Sequence, residues 1–279
     1  MIVRSPHTVL SGFGLSLGIT LTWLSLIVLI PLSAVLIKSA QIDLPAFLAI
    51  LGSERIQHAL WLSFSTALAA ALVNVVFGLL LAWSLVRYDF CGKRLVDALI
   101  DLPFALPTAV AGIALASLYA PTGWIGQLFA PLGLQIAYTQ IGIVIALIFI
   151  GIPFVVRTVQ PVLVDLETEL EEAAASLGAS RWQTLSQVIL PVLTPALLTG
   201  FALAFARGVG EYGSVIFIAG NQPFKTEIAP LLIISRLEEY DYAGATVIAV
   251  LMLLLSFVLL LLINLLQSWS NHRAGRLAK

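Results

Sequence analysis

The chain has 279 residues, of which 60% are hydrophobic and only 10% are charged, whereas a soluble domain is nearer half apolar and a quarter charged. Its net charge of −1 excludes the basic surplus expected of a protein that binds nucleic acid. Most of the surface must therefore face an apolar solvent, which predicts an integral membrane protein in a lipid bilayer.

Six apolar stretches are each long enough to cross a bilayer, which takes about 20 helical residues. They are continuous rather than alternating with a period of two, which excludes a transmembrane barrel and leaves helices. We therefore predict an all-α, polytopic protein with one membrane domain. The predicted spans are residues 15–37, 60–86, 96–119, 140–163, 196–218 and 243–267.

The first apolar stretch is expected to remain in the protein as a transmembrane helix. Residues 15–37 are longer than the apolar region of a signal peptide, which has about 7–15 residues. A cut after Ala40 would also place Lys38 at the −3 position, where signal peptides carry a small residue.

Basic residues between the spans predict that both ends of this multi-pass chain lie in the cytoplasm. With this orientation, the inner segments carry nine Lys and Arg residues and the outer segments carry four. The inner residues are Arg4, Arg87, Lys93, Arg94, Arg157, Arg181, Arg273, Arg276 and Lys279. The outer residues are Lys38, Arg55, Lys225 and Arg236.

Polar residues in the second and third spans are expected to serve helix packing. Asn74 can form a hydrogen bond between helices. Asp97 and Asp101 lie four residues apart at the inner start of the third span, where a structural role is favoured over an ion path. Pro103 and Pro107 follow them and should bend that helix.

The most polar segment of the chain, residues 164–193, lies between the fourth and fifth spans. Thr168 with Glu171, and Ser180 with Gln183, have the spacing of capping boxes that begin helices. The sequence therefore predicts two short helices at the inner membrane face.

A glycine and a proline mark the ends of these two helices. Gly178 stands where a helix favours a residue that tolerates the left-handed conformation, and Pro191 is expected to end the second helix. The small residues Ala173 and Ala174 permit close approach by another protein, and Glu172 can pair with a basic partner residue. A docking surface is thus predicted, with a solvated acidic loop as the alternative.

This segment resembles the cytoplasmic loop motif of ABC importer permeases, which reads EAA, three residues, G, nine residues and I-x-L-P. The matching residues are Glu172, Ala173, Ala174, Gly178, Leu190 and Pro191, and Val188 replaces the usual isoleucine. Residues 102–113 and 204–221 are similar to the sulfate/molybdate branch of these permeases. The resemblance covers essentially the whole chain, including the long first span.

The resemblance implies a fold like that of a type I ABC importer permease and a location in the bacterial inner membrane. It also implies a non-catalytic subunit that forms half of a path for sulfate, with thiosulfate as a further substrate. The implied partners are an ABC ATPase dimer, which docks on the inner loop, a second permease of the W type and a periplasmic sulfate-binding protein. ATP would be used by the ATPases, and this chain would bind no cofactor. In agreement, the sequence contains no G-x-x-x-x-G-K-[ST] motif.

Ionisable residues within spans are costly and are therefore functional candidates. Arg207 and Glu211 lie four residues apart in the fifth span, where they can pair on one helix face. They are either a gate beside the path or an ion pair that fixes helix packing. Thr108 and Ser214 are candidates for hydroxyl groups that line the path. The scattered histidines and the single cysteine predict neither a metal site nor a catalytic site.

Two other functions remain open from the residues themselves. A molybdate or tungstate importer would handle oxyanions of the same shape and charge as sulfate. A proton-coupled carrier could use Arg207 and Glu211 as a relay and would act without an ATPase. That carrier would leave the inner helical segment unexplained.

Overall fold

The computed structural model describes residues 13–277, and these residues form helices and loops without any strand. The first half of that range contains α1 (Phe13–Ala40), α2 (Leu44–Leu51), α3 (Glu54–Arg87), α4 (Lys93–Ile100), α5 (Leu102–Ala105), α6 (Thr108–Tyr119) and α7 (Gly126–Phe129). The second half contains α8 (Gln140–Asp165), α9 (Thr168–Ser176), α10 (Arg181–Val209), α11 (Gly213–Ala219), α12 (Ala229–Glu238) and α13 (Tyr242–Leu277).

Within that range, five helices are long and apolar enough to cross a bilayer, which confirms the all-α, polytopic class. They are α1, α3, α8, α10 and residues Tyr242–Leu265 of α13. α6 is apolar but has only 12 residues, fewer than the roughly 20 that a full span needs.

The third predicted span, residues 96–119, differs from the structure, which divides it into α4, α5 and α6. The chain leaves the helical conformation at Leu106, with φ −84° and ψ 137°. A residue that precedes a proline is pushed to such extended angles, because the ring of Pro107 excludes the helical region. The expected bend at the prolines is therefore a complete break.

The fifth predicted span, residues 196–218, also differs. It belongs to a helix that begins earlier, at Arg181, and ends at Val209, and residues 210–212 separate it from the short α11. Gly210 caps the end of α10. Arg207 and Glu211 are therefore not on one continuous helix, because the chain leaves the helix between them.

The expectation that Pro191 ends an inner helix is wrong, because this proline lies inside α10. A π-helical turn, Thr184–Ile189, ends two residues before it, and the Leu190 N–H donates to the Leu185 carbonyl. The wider turn relieves the clash that a proline ring makes with the preceding turn of an α-helix. α1 has the same arrangement, with a π-turn at Ser25–Leu29 that ends two residues before Pro31.

The core of the molecule lies where α3, α8 and α10 pack on one another. Glycines allow these helices to approach closely, as is common in membrane bundles. A Cβ at Gly78 would lie 2.7 Å from Val155 Cγ1, and a Cβ at Gly200 would lie 2.8 Å from Val155 Cα. The three helices therefore form one tightly packed unit.

Ion pairs distinguish the two ends of this bundle. Arg55, at the start of α3, donates to both carboxylate oxygens of the buried Glu227, each at 2.7 Å. Arg87, at the other end of α3, pairs with Glu171. Arg55, which was counted as outer, and Arg87, which was counted as inner, thus lie at opposite ends of α3. Which of these ends faces the cytoplasm stays a prediction. Of the basic residues in that count, Arg4 and Lys279 lie outside the described residues.

Candidate functional site

The inner helical segment, residues 166–183, consists of α9, a turn and the start of α10. The first predicted capping box is wrong, because Glu167 is the N-cap residue and makes no side-chain cap bond. Glu171, its expected partner, pairs with Arg87 instead. The second box is confirmed, since Ser180 Oγ accepts from the Gln183 N–H at 3.3 Å and Gln183 Oε1 accepts from the Ser180 N–H at 2.8 Å.

The turn between the two helices depends on a left-handed residue. Gly178 has φ +81°, and the Ala179 N–H donates back to the Ala174 carbonyl at 3.0 Å. This six-residue closure with a left-handed glycine is the Schellman arrangement that commonly ends helices. Gly178 therefore has the conformational role that the sequence predicts.

The motif residues fall into two groups. Glu172, Ala173, Ala174 and Gly178 lie together on the inner segment, and all but the partly covered Ala174 are exposed. Leu190 and Pro191 lie further along α10, beyond its π-turn.

Two large apolar side chains are exposed on the same segment. Leu177 is 89% exposed and Trp182 is 71% exposed. α9 itself is polar, with five charged or hydroxyl-bearing residues among its nine. Leu177 is the C-cap residue of α9, and Trp182 lies in the first turn of α10. Exposed apolar side chains that lie close together are typical of a site that binds a protein or a membrane.

A cavity of about 500 Å³ separates the inner segment from the end of α3. Leu79, Leu80 and Trp83 line it on the α3 side. Glu171, Ala175, Ala179, Arg181, Thr184, Leu185 and Ile189 line it on the other side. Arg87 bridges the two sides, because its Nη2 lies 2.7 Å from Glu171 Oε1.

A second ionic cluster at the same end was not predicted from the sequence. Arg157 of α8 donates to Asp97 Oδ1 at 2.7 Å and to Asp101 Oδ1 at 2.8 Å. It therefore holds α4 and the start of α5 against α8, and the two aspartates have the structural role expected of them. Nearby, Lys93 donates to the exposed Asp89 at 2.9 Å and lowers the pKa of that carboxyl group.

The candidate path residues lie where α10 breaks. Glu211 is only 1% exposed, and its Oε2 lies 2.6 Å from Nη1 of Arg207, whose side chain is 36% exposed. Glu211 Oε1 accepts from the Ser214 N–H at 2.8 Å and from Ser214 Oγ at 3.0 Å. The carboxylate is thus held by one cation and two neutral donors.

Thr108 joins the same region because α6 crosses α11 with almost no space between the two backbones. A Cβ at Gly213 would overlap Thr108 Oγ1 and lie 3.1 Å from Thr108 Cβ. A Cβ at Gly112 would lie 2.7 Å from Ser214 Cα. The structure therefore brings Thr108, Arg207, Glu211 and Ser214 together, although Thr108 lies far from the others in sequence.

The predicted interhelical hydrogen bond of Asn74 is absent among the described residues. Its side chain is buried, and neither amide atom has a partner within residues 13–277. It occupies space that Gly151 leaves open, since a Cβ there would meet the Asn74 amide nitrogen.

The charges around the break of α10 largely cancel. Arg207 is neutralised by Glu211, so the cluster offers a divalent anion no net positive charge. Glu211 and Ser214 are also buried, so neither side chain is exposed to a path within the described residues.

Comparison with known proteins gives a family and a set of relatives. The family described as binding-protein-dependent transport system inner membrane component matches residues 74–276. The sulfate transport system permease protein CysT of Synechocystis sp. is 52% identical, with 97% of each chain covered. The CysT protein of Escherichia coli is 50% identical, with 98% of this chain and 99% of that protein covered.

Solved structures share the fold at lower identity. A bacterial alginate ABC transporter, in complex with its alginate-bound periplasmic protein, matches with a TM-score of 0.69 and 20% identity over 95% of this chain and 94% of that chain. An inward-facing MetNI methionine ABC transporter matches with a TM-score of 0.56 and 17% identity over 82% of this chain and 99% of that chain.

Proposed function

The chain belongs to the family of binding-protein-dependent transport system inner membrane components, and we infer that it is a permease subunit of an ATP-driven importer of sulfate. The assignment of sulfate as the substrate rests on the identity of 50% or more with sulfate permeases over nearly the full length of both chains. We propose thiosulfate as a second substrate of the same path.

The inner helical segment is proposed as the docking site of an ABC ATPase dimer. Leu177 and Trp182 supply exposed apolar area, and the small residues of α9 allow the backbone of a partner to approach closely. Glu172 is exposed and can pair with a basic residue of that partner. The ATPases would use the ATP, and this chain would receive the resulting movement.

Two further partners complete the proposed importer. A second permease, a paralogue of the W type, would supply the other half of the path. A periplasmic sulfate-binding protein would select the anion and deliver it to the outer end. Selection by that protein is compatible with the nearly neutral cluster at the break of α10, because the path then needs no strong binding site of its own.

Uptake of labelled sulfate tests this function. We expect cells that lack this chain to lose sulfate uptake and cells that regain it to recover this uptake. Excess thiosulfate should inhibit the recovered uptake, whereas excess molybdate should inhibit it only weakly. Inhibition by molybdate at equal concentration would favour a molybdate or tungstate importer. Unchanged sulfate uptake in the deletion strain would contradict the proposed function.

We expect replacement of Gly178 by valine to lower sulfate uptake by about tenfold, the factor that corresponds to 1.4 kcal/mol. At φ +81° an L-residue is strained, and a β-branched residue is strained most. No described heavy atom lies within 4 Å of a Cβ at this position, so the effect comes from the backbone of the turn.

Gly178→Asn is the matched control, because asparagine tolerates the left-handed conformation. It should retain most of the uptake, with both variants inserted in the membrane in equal amounts. Equal uptake by the valine and asparagine variants would show that the shape of this turn does not matter for transport.

A further inference from the structure

The inner helical segment lies apart from the inner end of α3. The cavity of about 500 Å³ lies between them, with Leu79, Leu80 and Trp83 on one side and residues of the segment and of the following π-turn on the other. Apolar side chains therefore do not fill this gap. A movement of α9 can reach α3 directly only through a contact that crosses the gap.

One side chain makes that contact. Among the described residues, the ion pair between Arg87 and Glu171, with Nη2 and Oε1 2.7 Å apart, joins α3 to α9. The same Nη2 donates to the Leu166 carbonyl at 3.3 Å, and the guanidinium carbon lies 5.8 Å from the centre of the Trp83 ring. Arg87, the last residue of α3, thus contacts both the residue that caps α8 and a residue of α9.

The surroundings fix Arg87 more firmly than an ordinary surface ion pair. Its side chain is 18% exposed and that of Glu171 is 32% exposed. Arg87 lies in the last turn of α3 and beside the end of α8, and both helix ends favour a cation. A planar guanidinium held by several groups loses little further freedom when it forms an ion pair.

Adjacent glutamates of α9 face different surroundings. Glu171 is partly covered and pairs with Arg87, whereas Glu172 is exposed. A partner that pushes on the exposed face of α9 would therefore move Glu171 at the same time.

We propose that Arg87 is a positioning residue that transmits movement of α9 to α3 and α8 during transport. This inference rests on the proposed function, because it assumes that an ATPase moves the inner segment. Because α3 and α8 pack closely on each other and on α10, a displacement of Arg87 reaches the central bundle without any further loop.

The test uses the complete complex of both permeases and the ATPases in proteoliposomes, with sulfate uptake and ATP hydrolysis measured on the same samples. We expect Arg87→Glu, and separately Glu171→Arg, to lower uptake at least fivefold, the lower end of typical coupling between sites. ATP hydrolysis should continue, and the ATPases should still co-purify. The double variant Arg87→Glu/Glu171→Arg should recover a large part of the uptake, because the ion pair is restored with reversed sign.

Asp89→Arg is the control for charge alone, because Asp89 lies two residues from Arg87, outside the inner helical segment, and its side chain is 99% exposed. Its exposed ion pair with Lys93 contributes little. This variant should leave uptake unchanged. Normal uptake in both single variants, or a double variant no better than the weaker single one, would overturn the inference. Loss of the ATPases from the Glu171→Arg complex would also overturn it, since that residue would then serve docking. Failure of the wild-type complex to couple uptake to ATP would instead contradict the proposed function.

Discussion

Replacing Arg207 by methionine is expected to destabilise the membrane domain by about 3 kcal/mol, the lower end for breaking a buried ion pair. Glu211 is 1% exposed, and Arg207 is its cation at 2.6 Å. Without it, the carboxylate keeps only the two donors of Ser214. For a chain of this size, such a loss lowers the thermal midpoint by roughly 6–12 °C, which can be measured on the purified protein.

Replacing Glu211 instead of Arg207 should lower the free energy of unfolding much less. Glu211→Gln removes the charge from the buried side of the pair, so that the unpaired charge is on Arg207, which is 36% exposed, and not on a residue that is 1% exposed. The double variant Arg207→Met/Glu211→Gln should therefore be more stable than Arg207→Met alone. Equal losses in the two single variants would contradict this account of the pair.

Sulfate uptake by the double variant separates the two roles that the pair could have. Recovery of stability together with uptake would assign the pair to helix packing. Recovery of stability without uptake would assign it to a gate. Each outcome depends on the stability measurement, which shows that the variant is folded.

Replacing Gly112 by alanine is expected to have the second large effect, a loss toward the upper end of the 1–3 kcal/mol typical of overpacking. The added Cβ would lie 2.7 Å from Ser214 Cα and nearer still to the Ser214 carbonyl oxygen. These are backbone atoms that cannot rotate away, so α6 and α11 would have to separate. That separation would displace Thr108 and Ser214 at the break of α10.

Gly18→Ala is the control for the glycine change itself. No described heavy atom lies within 4 Å of a Cβ at Gly18, which is also helical. This variant should have the thermal midpoint and the sulfate uptake of the wild-type protein, whereas both should be lower in Gly112→Ala. Similar midpoints for the two variants would show that the close crossing of α6 and α11 does not contribute to stability.

The sequence predicts the long spans well because continuous apolar runs have few alternatives in lipid. It fails at the helix breaks because the surrounding stretches stay apolar on average. Leu106 and Gly210 lie within apolar stretches, and their backbone angles depend on neighbouring proline and glycine. At Pro191 the error is the opposite one: the sequence predicts the end of a helix, but a π-turn before the proline keeps the helix intact.

The inner segment could be predicted because its signals are local in sequence. Ser180, Gln183 and Gly178 act within a few residues of one another. The contacts of Arg87 and Arg157 could not be predicted, since their acidic partners lie 84 and 56–60 residues away. The available signal is that Arg87 ends a long apolar helix and Arg157 lies within one, where a charge requires a partner.

The most direct test of the whole account is sulfate uptake by proteoliposomes that contain both permeases and the ATPases. ATP is supplied on the ATPase side, and the sulfate-binding protein with labelled sulfate is supplied on the other. We expect uptake that requires ATP and that falls in the Gly178→Val complex. Uptake that proceeds without ATP and follows an imposed proton gradient would contradict the account and favour a proton-coupled carrier.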